Sequence, residues 1–166
     1  GDVASVCVYP KWLLLVKTLL ADTSVKSCCV VNFPTPTLTQ KSVGEAISVL
    51  VDSGVDEVDM VLPYELLQTD PAFVRTFLDV ARKAAGDITL KVIIESFVLS
   101  REDIVLATNL VVASGADFVK TSTGKLGGAS MEAVALMAST LAQQEQPCGL
   151  KISGGVSTFD QACGFY

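Results

Sequence analysis

The sequence contains no histidine among its 166 residues. This absence excludes a Ser-His-Asp or Cys-His triad, a histidine-ligated metal site and the imidazole that most often serves as a general base. If the protein is an enzyme, its proton transfers must therefore use carboxylates, lysines, tyrosine or water.

Charged residues are also scarce, at 18% of the chain against 50% hydrophobic residues. That balance is typical of parallel α/β sheets, whose strands are buried on both faces. The net charge of −6 argues against nucleic acid as a partner, so any anionic ligand must be held by a local group of lysines and backbone amides. Long apolar runs and a signal-peptide pattern are missing as well, and we expect a cytoplasmic protein without a membrane partner.

The five cysteines are an odd number and lack C-x-x-C spacing, so the sequence indicates neither a zinc site nor a disulfide framework. Reduced thiols packed in the interior are the expectation, and for Cys7 we expect packing rather than chemistry. The nucleotide-binding motifs GxGxxG and GxxxxGK[ST] are also absent, which weakens the case for the open folds that carry them.

Short β-type runs alternate with amphipathic helical segments along the whole chain. Strands are predicted over residues 3–8, 27–32, 55–62, 88–94, 118–120 and 149–153, and a last helix opens near residue 157 and continues to the chain end at Tyr166. Strand centres recur about every 25 to 35 residues, the size of one βα unit. Polar residues at several strand ends favour a TIM-type (β/α)₈ barrel over a doubly wound sheet. The sequence therefore predicts one α/β domain over residues 1–166, a TIM-type barrel incomplete at both ends with six of its eight strands.

Residues 116–125 concentrate chemically useful side chains. A short β-type run ends at Lys120, three hydroxyl residues follow, and Gly124 and Lys125 come next. A lysine at the carboxyl end of a strand, beside a loop rich in hydroxyls and glycine, suits a nucleophilic amine next to an anion site. For this segment alone, a solvated lysine before an ordinary turn is the favoured interpretation.

Three other strands carry charges at positions that are otherwise apolar, namely Asp59, Lys91 and Lys151. A structural ion pair, or a lysine that protects a sheet edge, explains any one of them, but explains all four charges poorly. Amines that converge in an apolar site favour the neutral form of one of them, and a neutral amine can attack a carbonyl to form a Schiff base. A carboxylate and ordered water can then move the protons.

Several segments resemble the deoxyribose-phosphate aldolase family. They are residues 56–64, 90–95, 115–125 and 150–158, with weaker similarity in residues 6–10 and 32–34. They occur in the family's order over nearly the whole chain, and the pairing of Lys-Thr-Ser-Thr-Gly with a downstream Lys-x-x-Gly-Gly is specific.

The resemblance implies a class I aldolase that needs no metal and no cofactor. Its reaction would be the reversible cleavage of 2-deoxy-D-ribose 5-phosphate to acetaldehyde and D-glyceraldehyde 3-phosphate. Lys120 would form the Schiff base, Lys151 would be the neighbouring cation that favours its neutral form, and Asp59 would relay protons through water. The substrate-binding residues would be Lys91, Thr121, Gly124, Lys125, Gly154 and Gly155, with the glycines and Lys125 at the phosphate end.

The chain also departs from the family pattern. The family's first strand, its eighth strand and the phosphate loop of that eighth strand have no counterpart, so the resemblance covers strands two to seven. Ser157 stands where an arginine is frequent, and Ile152 replaces a small residue or proline. Two alternatives stay open, namely another Schiff-base aldolase for a phosphorylated sugar and a catalytically impaired fragment. An assembly of identical subunits is compatible with either.

Overall fold

The computed structural model describes residues 3–165, in which six strands alternate with six α-helices. The strands are β1 (Ser5–Val8), β2 (Lys26–Val31), β3 (Glu57–Val61), β4 (Thr89–Ile93), β5 (Phe118–Lys120) and β6 (Gly149–Lys151). The helices are α1 (Leu13–Leu20), α2 (Gln40–Asp52), α3 (Pro71–Ala85), α4 (Arg101–Ala113), α5 (Met131–Leu141) and α6 (Phe159–Cys163). All six predicted strands are present, each within its predicted range or shifted by one residue. The last helix is shorter than predicted, because α6 ends at Cys163 instead of continuing to the chain end, and Tyr166 itself lies outside the described residues.

Each strand pairs in parallel with the next strand along the chain, in the order β1-β2-β3-β4-β5-β6. A doubly wound sheet would reverse its strand order at a switch point, whereas a TIM-type barrel adds its strands in sequence. The α/β fold predicted from the sequence is therefore confirmed as a six-stranded portion of a barrel-type sheet. In the described part of the chain, β1 and β6 are the outer strands.

Side-chain caps explain where most of the helices begin. Asp70 accepts a hydrogen bond of 2.9 Å from the amide of Phe73, and Pro71 occupies the first position of α3. Ser100 and Ser130 cap α4 and α5 in the same way. A cap satisfies an amide that has no partner within its own helix, so these starts follow from local sequence. Proline is favoured at the first position of a helix, so the sequence predicts a helix from Pro10 to Leu20. The structure differs, because a short 3₁₀ turn (Pro10–Trp12) precedes α1.

The apolar core lies between the sheet and the helices. Along β3, Val58 and Met60 belong to this core, while Asp59, which lies between them, points to the opposite face. Helices α2 and α3 approach closely, since a Cβ at Gly44 would lie only 2.9 Å from Val80 Cγ1. The helices therefore cover one face of the sheet, and the alternating residues carry polar groups to the other face.

The strand register brings those polar groups together. Asp59 on β3 is paired with Lys91 on β4, and Lys120 on β5 is paired with Lys151 on β6. Neighbouring residues in adjacent strands place their side chains on the same face, so four charges from four strands meet there.

Within residues 3–165, no helix has both the length and the hydropathy to span a membrane.

Candidate active site

Asp59 is the centre of the charged cluster. Its side chain is fully buried, and both carboxylate oxygens accept hydrogen bonds from lysines. Oδ2 lies 2.6 Å from Nζ of Lys120 and 3.1 Å from Nζ of Lys151, while Oδ1 lies 2.8 Å from Nζ of Lys91. One carboxylate thus orients three amines that come from three different strands.

Lys91 is held more tightly than the other two lysines. Besides Asp59, its Nζ donates to Oε2 of Glu57 over 2.6 Å and lies 3.6 Å from Sγ of Cys28. Only 5% of its side chain is exposed, against 11% for Lys120 and 32% for Lys151. Access to the cluster therefore increases from Lys91 to Lys151.

The lysines determine the protonation state of Asp59. Burial alone would raise the pKa of this carboxyl, but the positive charges of Lys120, Lys151 and Lys91 outweigh burial and hold the pKa well below its usual range. The contact between Asp59 and Lys91 also shifts the pKa of Lys91. Burial would lower the pKa of this amine, and the charge of Asp59 raises it above its ordinary value. Asp59 is therefore ionised and Lys91 is a cation at neutral pH.

The charges in the cluster do not cancel. Three amines (Lys91, Lys120 and Lys151) meet two carboxylates (Glu57 and Asp59), which leaves one positive charge in excess when all five groups are ionised. Loss of one proton from one amine would make the cluster neutral. Like charges that share a site repel one another, so this excess distinguishes the cluster from a balanced set of ion pairs.

Two thiols, those of Cys7 and Cys28, lie beside the cluster. Sγ of Cys28 donates to Oδ1 of Asp59 over 3.2 Å, and Cys7 is the register partner of Cys28 on β1. The packing role expected for Cys7 is wrong, because its side chain is exposed beside the polar cluster instead of being buried in the core. The interaction between the two thiols raises the pKa of Cys28, as does its burial, and lowers the pKa of Cys7.

These thiols and Asp59 are also close enough to be considered as metal ligands. Sγ of Cys7, Sγ of Cys28 and one carboxylate oxygen of Asp59 lie within 4.8 Å of one another. However, the Asp59 oxygens already accept hydrogen bonds from three ammonium groups, whose charges repel a cation. The donor set therefore suits an amine cluster better than a metal ion.

The loop after β5 is fixed to the loop after β6. The hydroxyl of Thr121 donates to the carbonyl of Ser153 over 2.9 Å and accepts from the amide of Ser153 over 2.9 Å. The hydroxyl of Ser153 donates in turn to the carbonyl of Ser122. Thr121 is fully buried, so its hydroxyl links the two loops.

Glycines allow the two loops to pack backbone against backbone. A Cβ at Gly154 would lie 3.1 Å from the carbonyl oxygen of Gly127 and 3.1 Å from Cα of Gly128. Gly154 also has a φ of +88°, a conformation that residues with side chains rarely adopt. Gly154 is therefore required both by its conformation and by the close approach of the neighbouring loop.

The predicted site residues fall into two groups. Lys120, Lys151, Asp59 and Lys91 meet in the cluster, whereas Thr121, Gly124, Lys125, Gly154 and Gly155 belong to the two linked loops at the carboxyl ends of β5 and β6. Gly124, Lys125 and Gly155 are exposed, and the amide of Lys125 donates to the hydroxyl of Thr123.

Sequence reasoning assigned no role to Glu57, Cys28 or Glu95, which also line this region. Glu57 lies two residues before Asp59 on the same face of β3, and that alternation was the available signal. Glu95 is fully buried and accepts hydrogen bonds from Thr123. No sequence pattern indicates that contact.

The fold and the cluster can be compared with known proteins. The family described as DeoC/LacD family aldolase matches residues 1–163. A curated deoxyribose-phosphate aldolase from Brevibacillus brevis is 43% identical over 157 residues, which cover 93% of this chain and 70% of that protein. The corresponding protein from Streptococcus gordonii is 37% identical over 166 residues, which cover 99% of this chain and 74% of that protein.

Solved structures of aldolases are also similar to this chain. A structure from Coccidioides immitis that is assigned to deoxyribose-phosphate aldolase superimposes with a TM-score of 0.95 at 32% identity. The match covers 98% of this chain and 65% of that chain, so the present chain spans slightly less than two thirds of it. A tetrameric deoxyribose phosphate aldolase from Aeropyrum pernix has a TM-score of 0.80 at 25% identity, over 94% of this chain and 66% of its own.

Proposed function

Because this chain belongs to the DeoC/LacD family of aldolases, we propose that it is a Schiff-base aldolase for 2-deoxy-D-ribose 5-phosphate. The reaction is reversible cleavage to acetaldehyde and D-glyceraldehyde 3-phosphate, in the breakdown of deoxyribose phosphate. Two curated relatives that carry the name deoxyribose-phosphate aldolase support this substrate.

One observation supports the mechanism above all others. Nζ of Lys120 lies 2.6 Å from Oδ2 of Asp59, and Nζ of Lys151 shares the same oxygen at 3.1 Å. A nucleophile beside both a proton acceptor and a second cation is the arrangement that amine catalysis requires. Lys120 is also 11% exposed, so a small aldehyde can reach it without unfolding the strand.

The proposed reaction begins with the neutral amine of Lys120. Its nitrogen attacks the aldehyde carbon of the open-chain sugar, and the carbonyl oxygen takes up a proton to give a carbinolamine. Loss of water leaves a protonated imine, which withdraws electrons while the bond between C2 and C3 breaks and the C3 hydroxyl gives up its proton. The resulting enamine is protonated at carbon, and hydrolysis releases acetaldehyde and restores Lys120.

Asp59 is proposed to carry protons between Lys120 and a bound water. Its carboxylate contacts the amines directly and is ionised at neutral pH, so it can accept a proton transiently as the carbinolamine forms. Lys151 supplies the excess positive charge, and Lys91 fixes Oδ1 of Asp59, so that Oδ2 faces Lys120.

The phosphate end of the substrate is proposed to lie at the two linked loops. Gly124, Lys125 and Gly155 are exposed there, and Gly154 allows the loops to approach each other. Backbone amides and one lysine suit an anion in a chain whose overall charge is −6. Thr121 is proposed to act through its hydrogen bonds to Ser153, which hold the loops in place.

Two properties of the whole protein are part of the same proposal. We propose assembly of identical subunits, which the tetrameric relative from Aeropyrum pernix supports. We also propose a cytoplasmic location, in keeping with the free cysteines of the described chain.

The experiment that tests this function measures both products with coupled dehydrogenases, for the wild-type chain and for Lys120→Leu. We expect cleavage of 2-deoxy-D-ribose 5-phosphate by the wild-type chain and loss of cleavage in Lys120→Leu, because the imine cannot form. Lys83→Leu removes an exposed lysine from α3 and is the matched control. Cleavage that survives in Lys120→Leu would rule out the mechanism.

A panel of other phosphorylated sugars separates the remaining alternatives. Faster cleavage of a different sugar phosphate would assign the chain to another Schiff-base aldolase. A folded wild-type chain that cleaves no sugar would identify it as catalytically impaired, which is relevant because it spans 70% to 74% of the length of its curated relatives.

A further inference from the structure

Glu95 combines two energetically unfavourable features at the carboxyl end of β4. Its side chain is fully buried, and its backbone has φ +56° and ψ +53°, the left-handed conformation that favours glycine. Each feature is unfavourable unless the surrounding structure offsets it. Residues that combine such costs cluster at functional sites, where the surrounding structure keeps them in place.

The carboxylate of Glu95 also lacks the partner that buried acids usually have. Among residues 3–165, no lysine or arginine nitrogen lies within 4.0 Å of its oxygens, whereas Asp59 has three such neighbours. Its hydrogen-bond donors come instead from one residue, Thr123. The amide of Thr123 lies 3.2 Å from Oε2, and the hydroxyl of Thr123 donates to the same oxygen over 2.5 Å.

Thr123 also forms a hydrogen bond with the loop that follows it. Its hydroxyl oxygen accepts a hydrogen bond of 3.1 Å from the amide of Lys125. The residue between them, Gly124, has φ +76° and packs against Gly154, so the three residues form one turn. A single buried carboxylate therefore fixes the turn that presents Gly124 and Lys125.

The backbone on both sides of Glu95 is attached to the strand that carries Lys120. The amide of Ile94 donates to the carbonyl of Lys120 over 3.0 Å, and the amide of Ser96 donates to the carbonyl of Thr121 over 2.8 Å. These bonds fix the start of the loop without the Glu95 side chain. Removal of the carboxylate should therefore loosen the turn at residues 123–125 and leave Lys120 in place.

We propose that Glu95 is a positioning residue that holds the turn at residues 123–125 in the conformation that binds the phosphate of the substrate. This inference rests on the proposed function, since it assigns that turn to the phosphate end. Glu95 itself does not contact the reacting atoms. Its effect is on affinity for phosphorylated substrates and not on formation of the imine at Lys120.

Two pairs of variants test this role. Glu95→Gln keeps the shape of the side chain and removes its charge, and it is expected to fold because no lysine or arginine among the described residues pairs with Glu95. Thr123→Val removes the hydroxyl that joins Glu95 to Lys125, while Thr123→Ser retains it. Asp117→Asn is the control, because Asp117 also accepts a backbone amide across strands, from Leu90, but at the opposite end of the sheet.

The measurement is the ligand concentration that gives half-maximal borohydride trapping on the protein. With 2-deoxy-D-ribose 5-phosphate we expect an increase of about tenfold in Glu95→Gln and Thr123→Val, the loss expected for a charge-assisted hydrogen bond. With acetaldehyde, which has no phosphate, all variants should stay within about twofold of the wild-type chain. Thr123→Ser and Asp117→Asn should match the wild-type chain with both compounds.

Unchanged values for the sugar phosphate in both folded variants would overturn the inference, and so would equal losses with both compounds. If the wild-type chain traps neither compound, the proposed function fails, and amide exchange then decides the role of Glu95. In that measurement the amides of Thr123 and Lys125 should exchange at least about tenfold faster in Glu95→Gln than in the wild-type chain. Equal exchange rates would show that Glu95 does not hold the turn.

Discussion

Lys120 and Lys151 donate hydrogen bonds to the same carboxylate oxygen, Oδ2 of Asp59, although they lie on different strands. The parallel register pairs the two lysines directly, so their side chains leave the sheet on the same face. Two like charges held this close repel each other, and within residues 3–165 Asp59 is the carboxylate that offsets the repulsion. The net charge of the cluster therefore depends on both lysines.

The first prediction concerns that excess charge. In Lys151→Met, two amines would face two carboxylates, so loss of a proton from Lys120 would leave the cluster negative instead of neutral. We expect the rate of imine formation with acetaldehyde at pH 7 to fall by about 10²-fold or more, within the range of single acid–base contributions. Lys151→Arg keeps the charge and should lose less. Equal rates in Lys151→Met and the wild-type chain would contradict the charge argument.

The second prediction concerns acid. Because the folded pKa of Asp59 lies below its ordinary value of 3.8, ionised Asp59 contributes stability that is fully present above 3.8 and is lost as the pH falls through the folded pKa. Asp59→Asn should therefore cost about 3–5 kcal/mol at pH 7, because it leaves buried amines unpaired. Urea unfolding should show this difference shrinking below pH 3.8. A stability difference between the wild-type chain and Asp59→Asn that stays constant below pH 3.8 would contradict the lowered pKa of Asp59.

The third prediction compares two lysines by burial. Lys91 is 5% exposed and bonded to two carboxylates, so Lys91→Met should lower the free energy of unfolding by about 3–5 kcal/mol. Lys151 is 32% exposed, and Lys151→Met should cost about 1 kcal/mol or less. Denaturant titrations at pH 7 give both values. The reverse order would show that burial does not govern these ion pairs.

Alkaline solution gives a further check on Lys91. Its pKa is raised in the folded chain, so its contribution to stability is fully present below the ordinary value of 10.5 and is lost as the pH rises through the folded pKa. The stability difference between the wild-type chain and Lys91→Met should stay level up to pH 10.5 and narrow above it.

The fourth prediction separates packing from backbone strain. Gly154 and Gly86 both have positive φ, at +88° and +58°, but a Cβ at Gly86 would meet nothing within 4 Å. Gly86→Ala should therefore cost about 1 kcal/mol from conformation alone. Gly154→Ala should cost about 1–3 kcal/mol more, because its Cβ would crowd the neighbouring loop. If thermal unfolding shows the same loss of stability in Gly86→Ala and Gly154→Ala, the two loops do not pack tightly.

Much of the fold follows from the sequence because its signals are local. The caps at Asp70, Ser100 and Ser130 and the β-type runs required only short windows of residues. Strand alternation also indicates that Glu57 and Asp59 share one face of their strand. Exact ends were harder to predict, as at Pro10, where a 3₁₀ turn and a helix have the same residue preferences.

The remaining features depend on contacts between distant segments. The bond between Glu95 and Thr123 joins two βα loops and needs a left-handed backbone at a non-glycine residue, which no sequence pattern indicates. Cys7 was expected in the core because it occurs in an apolar run, yet its strand is an outer one and its side chain lies beside the charged cluster. Residue type alone did not distinguish the two faces of that strand.

The most direct test of the central claim is borohydride reduction of the chain in the presence of acetaldehyde, followed by peptide mass spectrometry. Reduction of an imine leaves an ethyl group on the amine that formed it. We expect this group on Lys120, and we expect Lys91 and Lys151 to remain unmodified, because Nζ of Lys120 lies closer to Oδ2 of Asp59 than Nζ of Lys151 does (2.6 Å against 3.1 Å) and the Lys120 side chain is more exposed than that of Lys91. An ethyl group on Lys91 or Lys151 in place of Lys120, or no adduct in a folded chain, would contradict the central claim.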